Sequence, residues 1–302
     1  MFRRANWCAL AHAIAGGVKT APPRLLAAVG FCVGMLVALP SSGAGVASEG
    51  VIALQPKILE HALTTLVPPQ PDRINLYFVG FAGSSSQNVF MKEVKAVAAQ
   101  FEQRFDTTGH SIVLINNGAT VREDPIATRG TLARVLDRIG AMINPRRDIV
   151  FLYLSSHGSP DHELSVSFPP LSLSDIDPRH LRRMLDAAGI KRRVIVISAC
   201  YSGAFIEPLK TDDSLIITAA AANRPSFGCS NEADYTYFGR AYFHDALRRT
   251  HSFSKAFRLA QPIIAARERH EGYQPSNPQM FEGINIARAL VDFEHQLPLS
   301  DR

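Results

Sequence analysis

Two side chains in this sequence have the type and the setting for nucleophilic chemistry, His157 and Cys200. A thiolate is a strong nucleophile, and cysteine needs a neighbouring base or cation to ionise near neutral pH. Imidazole can be that base and can pass the proton on to a leaving group. Each residue follows a short apolar run: 149–156 precedes His157-Gly158, and 194–198 precedes Ala199-Cys200-Tyr201-Ser202-Gly203. Small residues after each run leave room for a substrate and let backbone N–H groups approach a developing oxyanion. A lone buried cysteine is ordinarily inert core, and a lone histidine after a strand is ordinarily a turn residue. The pairing of the two settings is what points to catalysis.

Runs so rich in β-branched and aromatic residues read as buried parallel strands, and open α/β sheets carry their chemistry beyond the carboxyl ends of such strands. Three further runs, 74–81, 111–115 and 215–221, read the same way. Between them lie helical stripes: Phe90, Val94, Val97, Phe101 and Phe105, then Leu132, Val135, Leu136 and Ile139. Asp177-Pro178 is a helix start with proline at the first helical position, and Gly189 is its stop. Segment 164–168 alternates with a period of two, as a half-exposed hairpin arm does. Two C-terminal helices are predicted over 238–249 and 252–270. The fold class is α/β, a mostly parallel central sheet flanked by helices.

With 302 residues and 46% hydrophobic content the chain can bury a full core. Its formal charge of +5 resides mostly in Arg3, Arg4, Lys19 and Arg24, ahead of the first acidic residue, Glu49. The remainder of the chain is nearly neutral and has no basic cluster of the kind that nucleic acid requires. Basic residues, an uncharged run over 25–40 and small residues through Ala47 form the order of an export signal. Residues 1–47 are therefore expected to be a signal peptide or a retained N-terminal membrane anchor, the only membrane contact foreseen. The expected location is periplasmic, or membrane-anchored and facing outward. Segment 48–72, with a short helix and a proline cluster, reads as a linker, and 73–295 as one α/β domain. No His/Cys/Asp spacing suggests a metal site, and no cofactor is expected. Cys200 and Cys229 are the two cysteines past the leader, so a disulfide between them is the competing reading of Cys200.

The motifs Ser156-His157-Gly158-Ser159, Ser198-Ala199-Cys200-Tyr201-Ser202-Gly203, 218–229 and Tyr237-Phe238-Gly239 together resemble the legumain-like cysteine peptidases, family C13 of the caspase-like clan, in a bacterial-type exported form. The resemblance implies a caspase-like three-layer sandwich. It implies that Cys200 attacks a scissile carbonyl, that His157 protonates the leaving amine, and that the N–H groups of Gly158 and Cys200 form the oxyanion hole. The loop 84–88 would line the same cleft. The substrate would be a polypeptide, and the reaction endopeptidase or transpeptidase chemistry.

Departures from the family bear on specificity. Its asparagine-cutting members carry a glutamate where Ser198 stands and an aspartate where Arg240 stands. Ser198, Ser226 and Arg240 are the substrate-binding candidates, and a cation at 240 would favour an acidic or neutral P1 side chain. The alternative function is a catalytically silent binding module of the same family. Nothing in the sequence assigns an oligomeric state.

Overall fold

The computed structural model describes residues 49–297. Helix α1 (Glu49–Thr64) precedes strand β1 (Leu76–Ala82). There follow α2 (Val89–Arg104), β2 (Ser111–Ile115), α3 (Arg129–Met142) and β3 (Ile149–Ser155). Then come α4 (Pro178–Ala187), β4 (Arg193–Ser198), α5 (Ile206–Leu209) and β5 (Ser214–Thr218). The chain continues through α6 (Tyr237–Gly239), a π-helical stretch (Arg240–Ala246) and a 3-10 turn (Leu247–Arg249). It ends in α7 (Phe253–His270), β6 (Gln279–Glu282) and α8 (Ile284–Gln296). The six strands form one sheet in the order β2-β1-β3-β4-β5-β6, parallel except for β6.

Both faces of the sheet are covered, which is why the strands read as unbroken apolar runs. Phe78, Phe151, Tyr153, Val194 and Val196 face α2, α7 and α8. The alternate residues Tyr77, Val79, Leu152, Leu154, Ile195 and Ile197 face α1, α3 and α4. The helix ends are specified locally. Asp177 caps α4 by accepting from the N–H groups of Arg179 and His180, and Gly189 takes the left-handed conformation that ends it. Thr128 and Thr131 cap α3 reciprocally.

Segment 164–168 is an arm of a short irregular hairpin, as its alternation predicts: Leu164 pairs antiparallel with Ile176 and Phe168 with Leu171, while Ser167 bridges Ser84 and Leu164 bridges Gly158 beside the ends of β1 and β3. The structure departs from expectation in three places. β5 stops at Thr218, because the chain turns there to meet the loop after β4. An edge strand and a helix, β6 and α8, follow α7, and Ile286, Leu290 and Phe293 of α8 are core residues. The 48–72 segment is docked rather than a bare linker: Leu59, Leu63 and Leu66 are buried, and Gln55 bonds Val121 and Ile126. The expected leader, 1–47, lies outside the described residues.

Candidate active site

In the strand order 2-1-3-4-5, chain connections leave β1 and β3 in opposite directions, and a crevice opens above their carboxyl ends. The loops following β1, β3 and β4 meet there. β3 and β4 are in register with Ser155 opposite Ser198, and the Ser156 N–H extends the ladder by bonding the Ser198 carbonyl at 3.2 Å. Two residues on, Gly158 backs directly onto the main chain of Cys200. A Cβ built on Gly158 would overlap the Cys200 carbonyl oxygen. The glycine is needed for this approach, and the approach brings the His157 and Cys200 strand ends together.

Cys200 is 6% exposed, and neither it nor Cys229 is in a disulfide, so the competing reading of Cys200 falls. The chain reverses immediately after it. Tyr201 has φ of 58°, a left-handed conformation that costs a non-glycine residue roughly 1–2 kcal/mol. Main-chain contacts hold it there: its N–H bonds the Arg224 carbonyl at 2.8 Å, and the Ser202 hydroxyl accepts from the Ala220 N–H at 3.2 Å. Gly203 lies so close to the 220–222 backbone that a Cβ would come within 2.6 Å of the Ala222 nitrogen. Ser226 holds the thiol through its main chain. The Ser226 N–H donates to Sγ at 3.2 Å, and the Ser226 carbonyl accepts from the thiol at 3.4 Å. On ionisation the sulfur keeps the Ser226 N–H as donor and no longer donates to the Ser226 carbonyl.

His157 is held from the other wall. Its Nε2 lies 3.0 Å from Ser86 Oγ and 2.5 Å from Gln87 Oε1, and the Phe90 ring meets it edge-on at 5.0 Å. With Gln87 Oε1 as acceptor, Nε2 carries the proton and Nδ1 the lone pair. Burial pushes the His157 pKa down to about 4, so the resting ring is neutral near pH 7. The walls are tied at one end, where the Asn88 N–H bonds Asn231 Oδ1 at 3.0 Å and Lys92 pairs with Asp234 at 3.1 Å.

The three substrate-binding candidates are placed unequally. Ser226 touches Sγ through its main chain. Ser198 is 2% exposed, and its hydroxyl pairs with Thr236 Oγ1 at 3.1 Å, beneath the strand end rather than on the cleft wall. Arg240 begins the π-helical stretch one turn after Thr236, half exposed, with Nε 3.2 Å from Asp245 Oδ1. Sequence reasoning named the 84–88 loop without its two histidine partners, Ser86 and Gln87. It also missed Glu93, a wholly buried carboxyl that accepts from Tyr153 and Thr236. A signal for Glu93 was present, since it lies at i+3 from Phe90 and i−4 from Val97, on the apolar stripe.

The chain is similar to known proteins. A model of the Peptidase C13 family matches residues 130–281, half of the chain. The vacuolar-processing enzyme of Ricinus communis is 31% identical over 125 residues, 41% of this chain and 24% of that protein. Legumain of Rattus norvegicus is 30% identical over 141 residues, 45% of this chain and 30% of that protein. The matched part thus spans less than a third of either relative. Caspase-1 from Spodoptera frugiperda superimposes with a TM-score of 0.50 at 11% identity, over 72% of this chain and 92% of that one, which establishes a caspase-like fold and no more. The chain belongs to the Peptidase C13 family.

Proposed function

We propose that this chain is a cysteine endopeptidase in which Cys200 is the nucleophile and His157 the acid–base. The observation that carries the proposal is the main-chain contact of Gly158 with Cys200, which joins a thiol, an imidazole and a pair of backbone donors in one crevice. Gly158 faces Leu164 in a bridge whose flanking bonds run from Ser159 N–H to Glu163 and from Ser165 N–H to His157. In such a pair the central residue turns its own N–H away from the partner segment. Turned away from Leu164, that N–H is the donor proposed, with the Cys200 N–H, to hold the oxyanion.

The cycle then runs in two halves. The Cys200 sulfur bonds to the scissile carbonyl carbon as its proton passes to His157 Nδ1, and the carbonyl electron pair moves onto oxygen. Collapse breaks the C–N bond, and the histidine proton leaves with the amine. Water, deprotonated by the same histidine, then cleaves the thioester and restores the thiol. A resting neutral histidine suits this order, because it accepts the proton as attack begins. An acceptor amine in place of water would give transpeptidation through the same thioester.

The exposed Arg240 guanidinium supports an acidic or neutral P1 side chain, and the Asp245 partner tempers its charge. The leader alone supports an exported enzyme. The test is a P1-scanned fluorogenic peptide panel on wild type, Cys200→Ala and His157→Ala, beside labelling with a peptidyl acyloxymethylketone. Turnover and stoichiometric labelling lost in both variants support the reading. A wild type that neither turns over nor labels is the silent binding module. Strict Asn preference unchanged in Arg240→Ala removes the role given to Arg240.

A further inference from the structure

Glu93 is a carboxyl with 0% exposure, and it lies among the side chains beneath the ends of β3 and β4. A buried carboxyl is costly without donors. Here the Tyr153 hydroxyl donates to Oε1, the Thr236 N–H donates to Oε2 at 2.5 Å, and the Thr236 hydroxyl lies 3.4 Å from Oε1. Gly239 packs so tightly against the carboxyl that any Cβ there would overlap it. A carboxyl, a threonine and a glycine from two distant parts of the chain therefore interlock at one point.

Two paths lead from that point to the nucleophile. Along the first, Thr236 Oγ1 meets Ser198 Oγ at 3.1 Å, and Ser198 is the last residue of β4, two before Cys200. Along the second, Thr236 Oγ1 accepts from the Gly239 N–H at 3.0 Å and caps α6. The Tyr237 N–H in turn bonds the Phe227 carbonyl at 3.0 Å, which fixes the residue next to Ser226. Ser226 supplies the N–H that reaches Cys200 Sγ at 3.2 Å. The β4 end sets where the sulfur is, and the Ser226 loop sets which donor it meets.

We propose that Glu93 is a positioning residue for the Cys200 thiol, acting through Thr236 on both the end of β4 and the Ser226 loop. Its consequence for turnover rests on the cysteine-peptidase reading; its consequence for thiol reactivity does not. Burial raises the Glu93 pKa to about 7, so the clamp changes charge within the working range of a peptidase. The titratable groups facing it are Tyr153 on β3 and Tyr235 ahead of α6, the latter pushed further above the usual tyrosine range by burial. Thiol ionisation itself raises the alkylation rate with pH, and the part of the profile near pH 7 that Glu93→Gln removes is Glu93's own.

The experiment uses the full chain with Cys8, Cys32 and Cys229 each replaced by Ser, and follows alkylation of Cys200 by iodoacetamide from pH 5 to 9, beside kcat and KM on the best panel peptide. In Glu93→Gln the alkylation rate at pH 7.5 should fall about tenfold, kcat should follow with KM unchanged, and the part of the profile near pH 7 set by Glu93 should vanish. A profile that superimposes on wild type, or a variant altered only in melting temperature, overturns the proposal. Should Glu93→Gln not fold, Thr236→Val carries the test, because it keeps the N–H to Glu93 and removes the hydroxyl link. A loss of about threefold in its alkylation rate supports the proposal, and an unchanged rate overturns it. A wild type that cleaves no peptide sinks the peptidase reading and leaves the alkylation result to decide the role of Glu93.

Discussion

The two corners of the crevice are held by different kinds of support. His157 is oriented by side chains of one loop and helix start, with Ser86 and Gln87 at Nε2 and Phe90 against the ring edge. Cys200 is oriented by main chain: Ser226 gives the sulfur its donor and acceptor, Arg224 fixes Tyr201, and Gly158 backs onto the Cys200 carbonyl. The difference matches the work proposed for each corner. An acid–base must serve first the sulfur and then the leaving amine, and rotatable supports allow that shift. A nucleophile gains most from being fixed, because small misplacements are costly in rate. Vulnerability differs too. Substitutions can delete the histidine supports one at a time, whereas the cysteine supports can only be displaced.

The harshest way to break the comparison is to force the corners apart. Gly158→Ala puts a methyl group where the Cys200 carbonyl oxygen stands. Neither side of the contact is a flexible side chain, so β3 and β4 must separate or the turn after Cys200 must shift. The expected outcome is a loss of kcat/KM of at least about a hundredfold with a stability cost of roughly 1–3 kcal/mol. Peptide turnover and a urea melt on the same preparation check it. Gly158→Ala with turnover near wild type would show that the corners need not touch.

A second test sets the corners against each other in pH. His157 titrates near 4 in the folded chain and near 6.5 unfolded, so between those values the unfolded state binds the extra proton. Its contribution therefore makes stability rise with pH across that window and is lost on acidification. Glu93 titrates near 7 folded and near 4.5 unfolded, so there the folded state holds the extra proton. Its contribution makes stability fall as pH rises through the window. Each amounts to at most about 3 kcal/mol, and over roughly pH 4.5–6.5 the two oppose. Glu93→Gln should leave the histidine slope, with urea midpoints rising from pH 5 to 6.5. His157→Phe should leave the carboxyl slope, with midpoints falling. Equal slopes in the two variants would mean that the corners do not titrate as described.

The sequence announced the elements that repeat a simple pattern and hid those that depend on distant partners. The apolar runs before His157 and Cys200 are strands because both faces are covered, and a run buried on both sides needs nothing beyond its own composition to be recognised. β6 has only four residues, none of them buried below the surface layer, so its composition carries no strand signature. Segment 164–168 alternates because it pairs with the 171–176 arm, but its further bridges from Ser167 to Ser84 and from Leu164 to Gly158 join it to the loops after β1 and β3, and pairing of that kind leaves no trace in spacing. Within the site, His157 and Cys200 were legible because reactive residue types at strand ends are rare. Ser86 and Gln87 are ordinary loop residues until β1 and β3 are placed side by side. Ser198 was legible as a position and illegible as a role, because its hydroxyl turns inward to Thr236.

The mildest test asks how much the histidine corner depends on its rotatable support. Gln87→Ala removes the nearest partner of Nε2 and leaves Ser86 Oγ at 3.0 Å, so the ring keeps one anchor. The loss in kcat should be only about three- to tenfold, with Cys200 alkylation unchanged, because nothing on the cysteine corner passes through Gln87. Gln87→Glu sharpens the point without changing shape. A carboxylate at the amide position favours the protonated ring and opposes the burial that now holds His157 near 4, so its pKa should climb by about 1–3 units. The acid limb of the kcat/KM profile should move up by the same amount, and activity near pH 5 should fall while activity near pH 8 stays close to wild type. An NMR titration of the His157 ring protons gives the pKa directly. A histidine pKa raised in Gln87→Glu with an unmoved acid limb would mean that a group other than His157 limits turnover in acid. The proton carrier of the cycle would then have to be sought elsewhere in the crevice.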